Sequence, residues 1–151
     1  MKRVLFVDVR NATRSQMAEA WFNRLAGNRA QAHSCGTLPA ERVGVRAVQV
    51  MLELGIDLSR KWPKPVTQRL LDQADIVVFM GTGIYPRVHH GVRLWDFEDP
   101  NGRPLDQMLE LRDQICRRVE QLITEVARED AEPVWMDWNA FLPKQLEDVW
   151  N

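Results

Sequence analysis

Cysteine is nearly absent: Cys35 and Cys116 are the two in 151 residues, far apart and in no Cys-x-x-Cys pair. That excludes a disulfide scaffold, a zinc ribbon and a thioredoxin-type redox pair, and leaves two reduced core thiols as the plain reading. An excess of one charge is missing too. Twenty Lys and Arg against twenty-one Asp and Glu give a formal net charge of -1, so the chain as a whole calls for neither nucleic acid nor an anionic membrane surface. Any anion site must be local. No apolar run approaches the roughly 18 residues a membrane span requires. The basic start and short apolar run, Met1 to Val7, are followed by no small-residue cleavage site. They read as a buried first strand of a cytoplasmic protein. Internal repeats and low-complexity segments are also lacking.

What is there alternates between two periods. Arg3 to Val9 is β-branched and apolar without alternation, the pattern of a central parallel strand covered on both faces. A polar loop, Arg10 to Arg14, follows. From Ser15 the spacing turns helical, with Met17, Ala18, Trp21, Phe22 and Leu25 on one stripe and Gly27 as a stop. Ala30 to Ser34 reads as a strand, and Val43 to Leu54 as a helix with Val45, Val48, Met51 and Leu52 inward and Gly55 at its C-terminus. After a Pro-rich loop, Ser59 to Pro65, come a short helix capped by Thr67, a buried strand over Ala74 to Met80, and a fourth strand over Gly91 to Phe97. Asp99-Pro100-Asn101-Gly102 carries turn chemistry. Leu105 to Arg128 is the longest helical pattern, with Met108, Leu111, Ile115, Val119, Leu122 and Val126 on one face.

Strands alternating with helices predict an α/β fold: a three-layer, doubly wound sheet of about four parallel strands with helices on both faces. Ligands of such sheets bind beyond the carboxyl ends of the strands. Position alone therefore nominates residues 8 to 15. Loop amides and the dipole of the following helix make an anion site there, Arg14 adds a planar fork for two oxygens of a tetrahedral anion, and Arg10 adds a second positive charge.

The residues of this region resemble a known family. Val4-Leu5-Phe6-Val7, position 8, Asn11, and Arg14-Ser15-Gln16-Met17-Ala18-Glu19-Ala20 read like the N-terminal signature of the low-molecular-weight protein tyrosine phosphatase superfamily. The Arg-Ser-Gln-Met-Ala-Glu-Ala run is similar to its thioredoxin-coupled arsenate reductase branch. Ser34-Cys35-Gly36-Thr37, Pro63-Lys64-Pro65, Ala74 to Val78 with Met80-Gly81, and Trp95 to Pro100 follow in family order. The resemblance implies a Cys-x5-Arg-Ser loop in which a thiolate attacks phosphorus or arsenic. Carried over by position, Asp8 stands where the nucleophilic cysteine belongs. Arg14 is the oxyanion clamp, Ser15 the hydroxyl beside the nucleophile, Asn11 the brace of the loop and Asp99 the general acid. The implied anion-binding residues are Val9, Arg10, Asn11, Ala12, Thr13 and Arg14, with no metal and no cofactor. The implied ligand is phosphate or a similar oxyanion of the phosphotyrosine type. Without the family, Asp99 reads as a turn-forming Asp-Pro.

Asp8 changes the expectation. A carboxylate attacks phosphorus weakly unless a metal neutralises the incoming charge. At about 4 Å and an effective dielectric near 20, its repulsion of a bound anionic charge is on the order of 4 kcal/mol before Arg14 offsets it. The carboxylate can instead fold into the loop amides and pair with Arg14. The reductase branch also needs two further cysteines after the Met-Gly segment, where this chain has Thr82. The expected protein is thus phosphatase/arsenate reductase-like, with an anion loop and impaired catalysis. One alternative is a phosphate-ester hydrolase with an aspartyl-phosphate intermediate, drawing on Asp96, Glu98 and Asp99. The other is a non-catalytic binding module. His89-His90 on an extended segment point opposite ways and make no metal site, and Trp62 and Tyr85 either rim the site's mouth or pack. Residues 1–130 are expected to form the domain. Residues 131–151, with Trp135, Trp138, Phe141 and Trp150, are expected as an extension packed on it, or else as a homodimer contact.

Overall fold

A computed structural model describes residues 1–130; the expectations for residues 131–151 lie outside the described residues. Eight elements follow in order: β1 (Lys2–Asp8), α1 (Arg14–Ala26), β2 (Ala30–Gly36), α2 (Val45–Leu52), α3 (Gln68–Gln73), β3 (Ile76–Met80), β4 (Val92–Trp95) and α4 (Leu105–Asp130). All strand pairs are parallel, in the order β2-β1-β3-β4. This is the expected four-stranded α/β sheet. β1 lies at its centre, so its Asp8 end opens between β2 and β3.

The unbroken apolar runs of β1 and β3 are explained by two separate cores. Val4 and Phe6 of β1, with Ile76, Val78 and Met80 of β3, face α1, α2 and α4. The alternate residues Leu5, Val7, Val77 and Phe79 face Leu71 of α3, together with Cys35. Phe6 is fully buried and stands between Phe22 of α1, ring centroids 6.1 Å apart, and Trp95 of β4, 5.6 Å apart. Such a ring contributes on the order of 2–3 kcal/mol by burial alone.

The helix at residues 45–52 corrects the sequence reading. Val45 and Leu52, expected inward, are 81% and 60% exposed, whereas Met51 is buried as expected, Val48 packs half-buried, and Ala47 and Val50 complete the buried face. The helix meets α4 along one narrow edge, so a stripe of i, i+3 and i+4 suffices and the remaining apolar residues face out. Val43 is buried but precedes the helix, in a connecting strap that runs beside the loop after β1.

Candidate active site

β1 delivers Asp8 to the floor of a loop that closes at Arg14, the first residue of α1. The carboxylate is 2% exposed. Its two oxygens are both taken by loop amides: Asn11 N–H donates to Oδ1 at 2.6 Å and Ser15 N–H donates to Oδ2 at 3.1 Å. Burial raises the Asp8 pKa above its ordinary value, outweighing the lowering effects of the Ser15 amide, the Arg14 charge, the Ser15 hydroxyl and the Asn11 amide. The carboxylate therefore does fold into the amide nest. The expected direct pairing with Arg14 is not made: Arg14 Nη1 donates to the carbonyl of Phe97 at 2.8 Å. The guanidinium acts on Asp8 as a nearby charge rather than as a hydrogen-bond partner, because Phe97 O fixes its fork.

The loop is held by Asn11, which adopts a left-handed φ of 50°. Its side-chain Nδ2 donates to Ser15 Oγ at 2.8 Å, and its Oδ1 accepts from Gln16 Nε2 at 3.1 Å and from Lys64 N–H at 2.9 Å. Ser15, Asn11 and Gln16 are all fully buried behind the loop. On the outer side, the strap from Thr37 to Gly44 runs along the loop backbone. Thr37, Leu38, Ala40 and Gly44 donate in turn to the carbonyls of Asp8, Val9, Arg10 and Ala12, at 2.8–3.1 Å. Gly36 begins that strap, and a Cβ there would lie 2.6 Å from Val9 O and 2.9 Å from Asn11 N. A second glycine, Gly81, has φ +112°, and a Cβ on it would overlap both Arg14 Nη1 and Phe97 O. In the sequence both glycines stand only as parts of the family motifs Ser34-Cys35-Gly36-Thr37 and Met80-Gly81, with no role assigned to either; the signal available was a glycine at the end of each of two buried strands.

In front of the loop lies a cleft of about 310 Å³. Asp8, Arg10, Ala12, Thr13 and Arg14 line it from the loop, and Asp99 and Asn101 from the turn before α4. Arg42 and Arg46 line it from the strap and the start of α2. The last two went unnoticed in the sequence, since nothing in a helix's own pattern says which arginine faces a distant loop. Asn11 and Ser15 lie buried behind the loop, and neither they nor Val9 line the cleft. Asp99 is exposed, reaches the cleft, and also accepts the Asn101 amide at 3.0 Å, so it is at once turn residue and cleft residue.

Other candidates fall elsewhere. Tyr85 stacks on Phe79 at 4.3 Å and donates to Gly81 O, while Trp62 is 66% exposed; neither lines the cleft. The Cys35 thiol is pushed up to about 12 by burial and by the charge of Asp8, and that of Cys116 to about 11, chiefly by burial. Neither is an activated nucleophile. Asp96 and Glu98 line a separate depression and Glu98 pairs with Arg103. Among the described residues no group of three His, Cys, Asp or Glu side chains converges, so the residues here do not fit the carboxylate cage that a divalent ion would need.

A loop of this construction joins the fold to a family. The model of the low molecular weight phosphotyrosine protein phosphatase family matches residues 3–132. A glutaredoxin arsenate reductase of Synechocystis sp. is 35% identical over 132 residues, 84% of this chain and 100% of that protein. A putative arsenate reductase of Halobacterium salinarum is 38% identical over 83% of this chain and 93% of its own length. Among solved structures, an arsenate reductase in the phosphate binding state has a TM-score of 0.78 at 34% identity, covering 83% of this chain and 99% of that one. An arginine phosphatase from Geobacillus stearothermophilus, TM-score 0.80 over 88% and 97%, is 24% identical and shares the fold. By sequence match and by fold, this chain belongs to the low molecular weight phosphotyrosine protein phosphatase family, among relatives that include the arsenate reductases.

Proposed function

We propose that this chain binds a phosphate-type oxyanion in the cleft before residues 8–14 and is silent, or nearly so, in the covalent chemistry that the loop implies. One observation carries this reading: the group on the loop floor is a carboxylate with both oxygens held by loop amides. A thiolate in that place attacks phosphorus or arsenic; a carboxylate, buried and held by two loop amides, is a weak nucleophile. Arg14 acts as the clamp, Ser15 and Asn11 hold the loop, and Asp99 is the acid left without a leaving group to protonate. The phosphate-bound arsenate reductase of the same fold supports the ligand class. Two buried, unpaired cysteines suit a reducing, cytoplasmic setting.

The test is aryl-phosphate hydrolysis by the chain beside an Asp8→Cys variant, with and without magnesium. Turnover is expected from the variant alone, at least about 10²-fold above the parent chain, since nucleophile and pKa-lowering amides are then reunited. Hydrolysis by the parent chain would overturn the reading, and if it required magnesium it would point to an aspartyl-phosphate intermediate on Asp8.

A further inference from the structure

The cleft has more positive charge than one oxyanion needs. Four arginines line it, Arg10, Arg14, Arg42 and Arg46, against two carboxylates, Asp8 and Asp99. Arg14 is 5% exposed, and a single hydrogen bond, Nη1 to Phe97 O, is made from its guanidinium among the described residues. The residue lines the cleft, and its other N–H groups are not used by the loop. Arg10, Arg42 and Arg46 are exposed, and among the described residues none of the three has a carboxylate within 4 Å. Left alone, three such charges around one cleft repel one another.

The backbone that carries them is held in place. The strap bonds of Ala40 to Arg10 O and of Gly44 to Ala12 O fix the backbone on both sides of Arg42 against the loop. Gly44 sits so close that a Cβ would come 3.0 Å from Thr13 Oγ1. Gly44 also leaves the start of α2 with no side-chain cap, so the positive end of that helix adds to Arg42 and Arg46 on the same wall. Meanwhile two amides of the inner loop are already committed to Asp8. The unspent binding capacity of the cleft is therefore divided between Arg14 within and the arginine wall without.

We propose that the cleft takes a ligand with two anionic groups, one facing Arg14 and the second held by Arg42 and Arg46, with Arg10 between. The ligand class is a small diphosphate, bisphosphate or bisphosphonate-like dianion pair. The proposal rests on the oxyanion reading above and adds the second locus.

Isothermal titration of the whole chain with methylphosphonate and with methylenediphosphonate, which differ by one anionic group, tests it at fixed salt. Methylenediphosphonate is expected to bind at least about tenfold more tightly. In an Arg42→Gln/Arg46→Gln double variant that preference is expected to fall below about threefold. Arg42 and Arg46 are surface residues, so the fold should survive, which circular dichroism checks. Arg128→Gln is the control for overall charge: it lies about 30 Å along α4 from Met108, at the cleft, and should alter neither affinity. Equal binding of the two probes, or a preference that survives in the double variant, would overturn the second locus while leaving the oxyanion reading intact. Failure of both probes to bind would overturn both.

Discussion

Asp8 brings a carboxylate into a nearly closed site and gives it two amide partners but no ion pair within 4 Å. Desolvation wins over those partners, so its folded-state pKa stands above the ordinary 3.8. A group with a raised carboxyl pKa binds protons more readily folded than unfolded. Across the window from 3.8 up to the raised value, the native state holds more protons, and stability falls as pH rises. This is opposite to the usual salt-bridged aspartate. An Asp8→Asn variant has no such titration, though it loses one amide bond because its NH₂ cannot accept. In urea unfolding at about pH 4.5 and about pH 8, the parent chain should lose stability relative to the Asn variant as pH rises. A difference that stays constant, or changes in the other direction, would mean that Asp8 is ionised in the fold across that range.

At the scale of elements, the site is a meeting of three strand ends. β1 ends in Asp8, β3 ends before Gly81, and the chain after β4 presents the Phe97 carbonyl; Arg14 at the head of α1 threads between the last two. Gly81 is the spacer that lets it pass. Gly81→Ala meets both a positive φ of 112° and an overlap with Arg14 Nη1, whereas Gly27→Ala at the end of α1 meets a positive φ of 58° with open space around it. Both should lose about 1–3 kcal/mol of stability. Gly81→Ala alone should also weaken methylphosphonate by about tenfold or more, the loss of one charge-assisted contact. Equal affinities in the two variants would show that Arg14 does not clamp the anion.

The same elements show why the sequence was legible in part. β1, β3 and α4 announce themselves because each is apolar on a continuous run or stripe, and the structure places them within one or two residues of the expected bounds. β4, read as Gly91 to Phe97, pairs only over Val92–Trp95, because an edge strand with one neighbour is specified by a short ladder. The helical pattern from Val43 to Leu54 overruns α2 by two residues at each end, since the buried Val43 belongs to the strap and looks like a first helical position. The loop at residues 8 to 15 could be read because its parts are contiguous. Arg42, Arg46 and Gly81 could not, for they reach the site only through the hydrogen bonds of the strap and the course of Arg14.

For the molecule as a whole, the aromatic cluster around Phe6 ties the site's base to the rest of the domain. Phe6 touches Phe22 of α1 and Trp95 of β4, Trp95 meets Phe97, and Arg118 of α4 lies over the Trp95 ring at 5.2 Å from its centroid. β1, β4, α1 and α4 are thereby one packed unit, and Phe97 is the residue whose carbonyl fixes Arg14. Phe6→Ala removes the centre of that unit and should cost about 3–5 kcal/mol. A domain of this size is stable by about 5–15 kcal/mol, so the variant remains folded in mild conditions but with a markedly lower urea midpoint. Because the cluster joins α1, α4 and β4 to the face of β1 that ends at the loop floor, the loss should lower fluorescence-detected and circular-dichroism-detected transitions together. Titrated below its midpoint, the variant should bind methylphosphonate more weakly than the parent. Separate transitions for the two probes would show instead that the α1/α4 layer and the loop are independent folding units, and that the anion site does not draw its rigidity from this core.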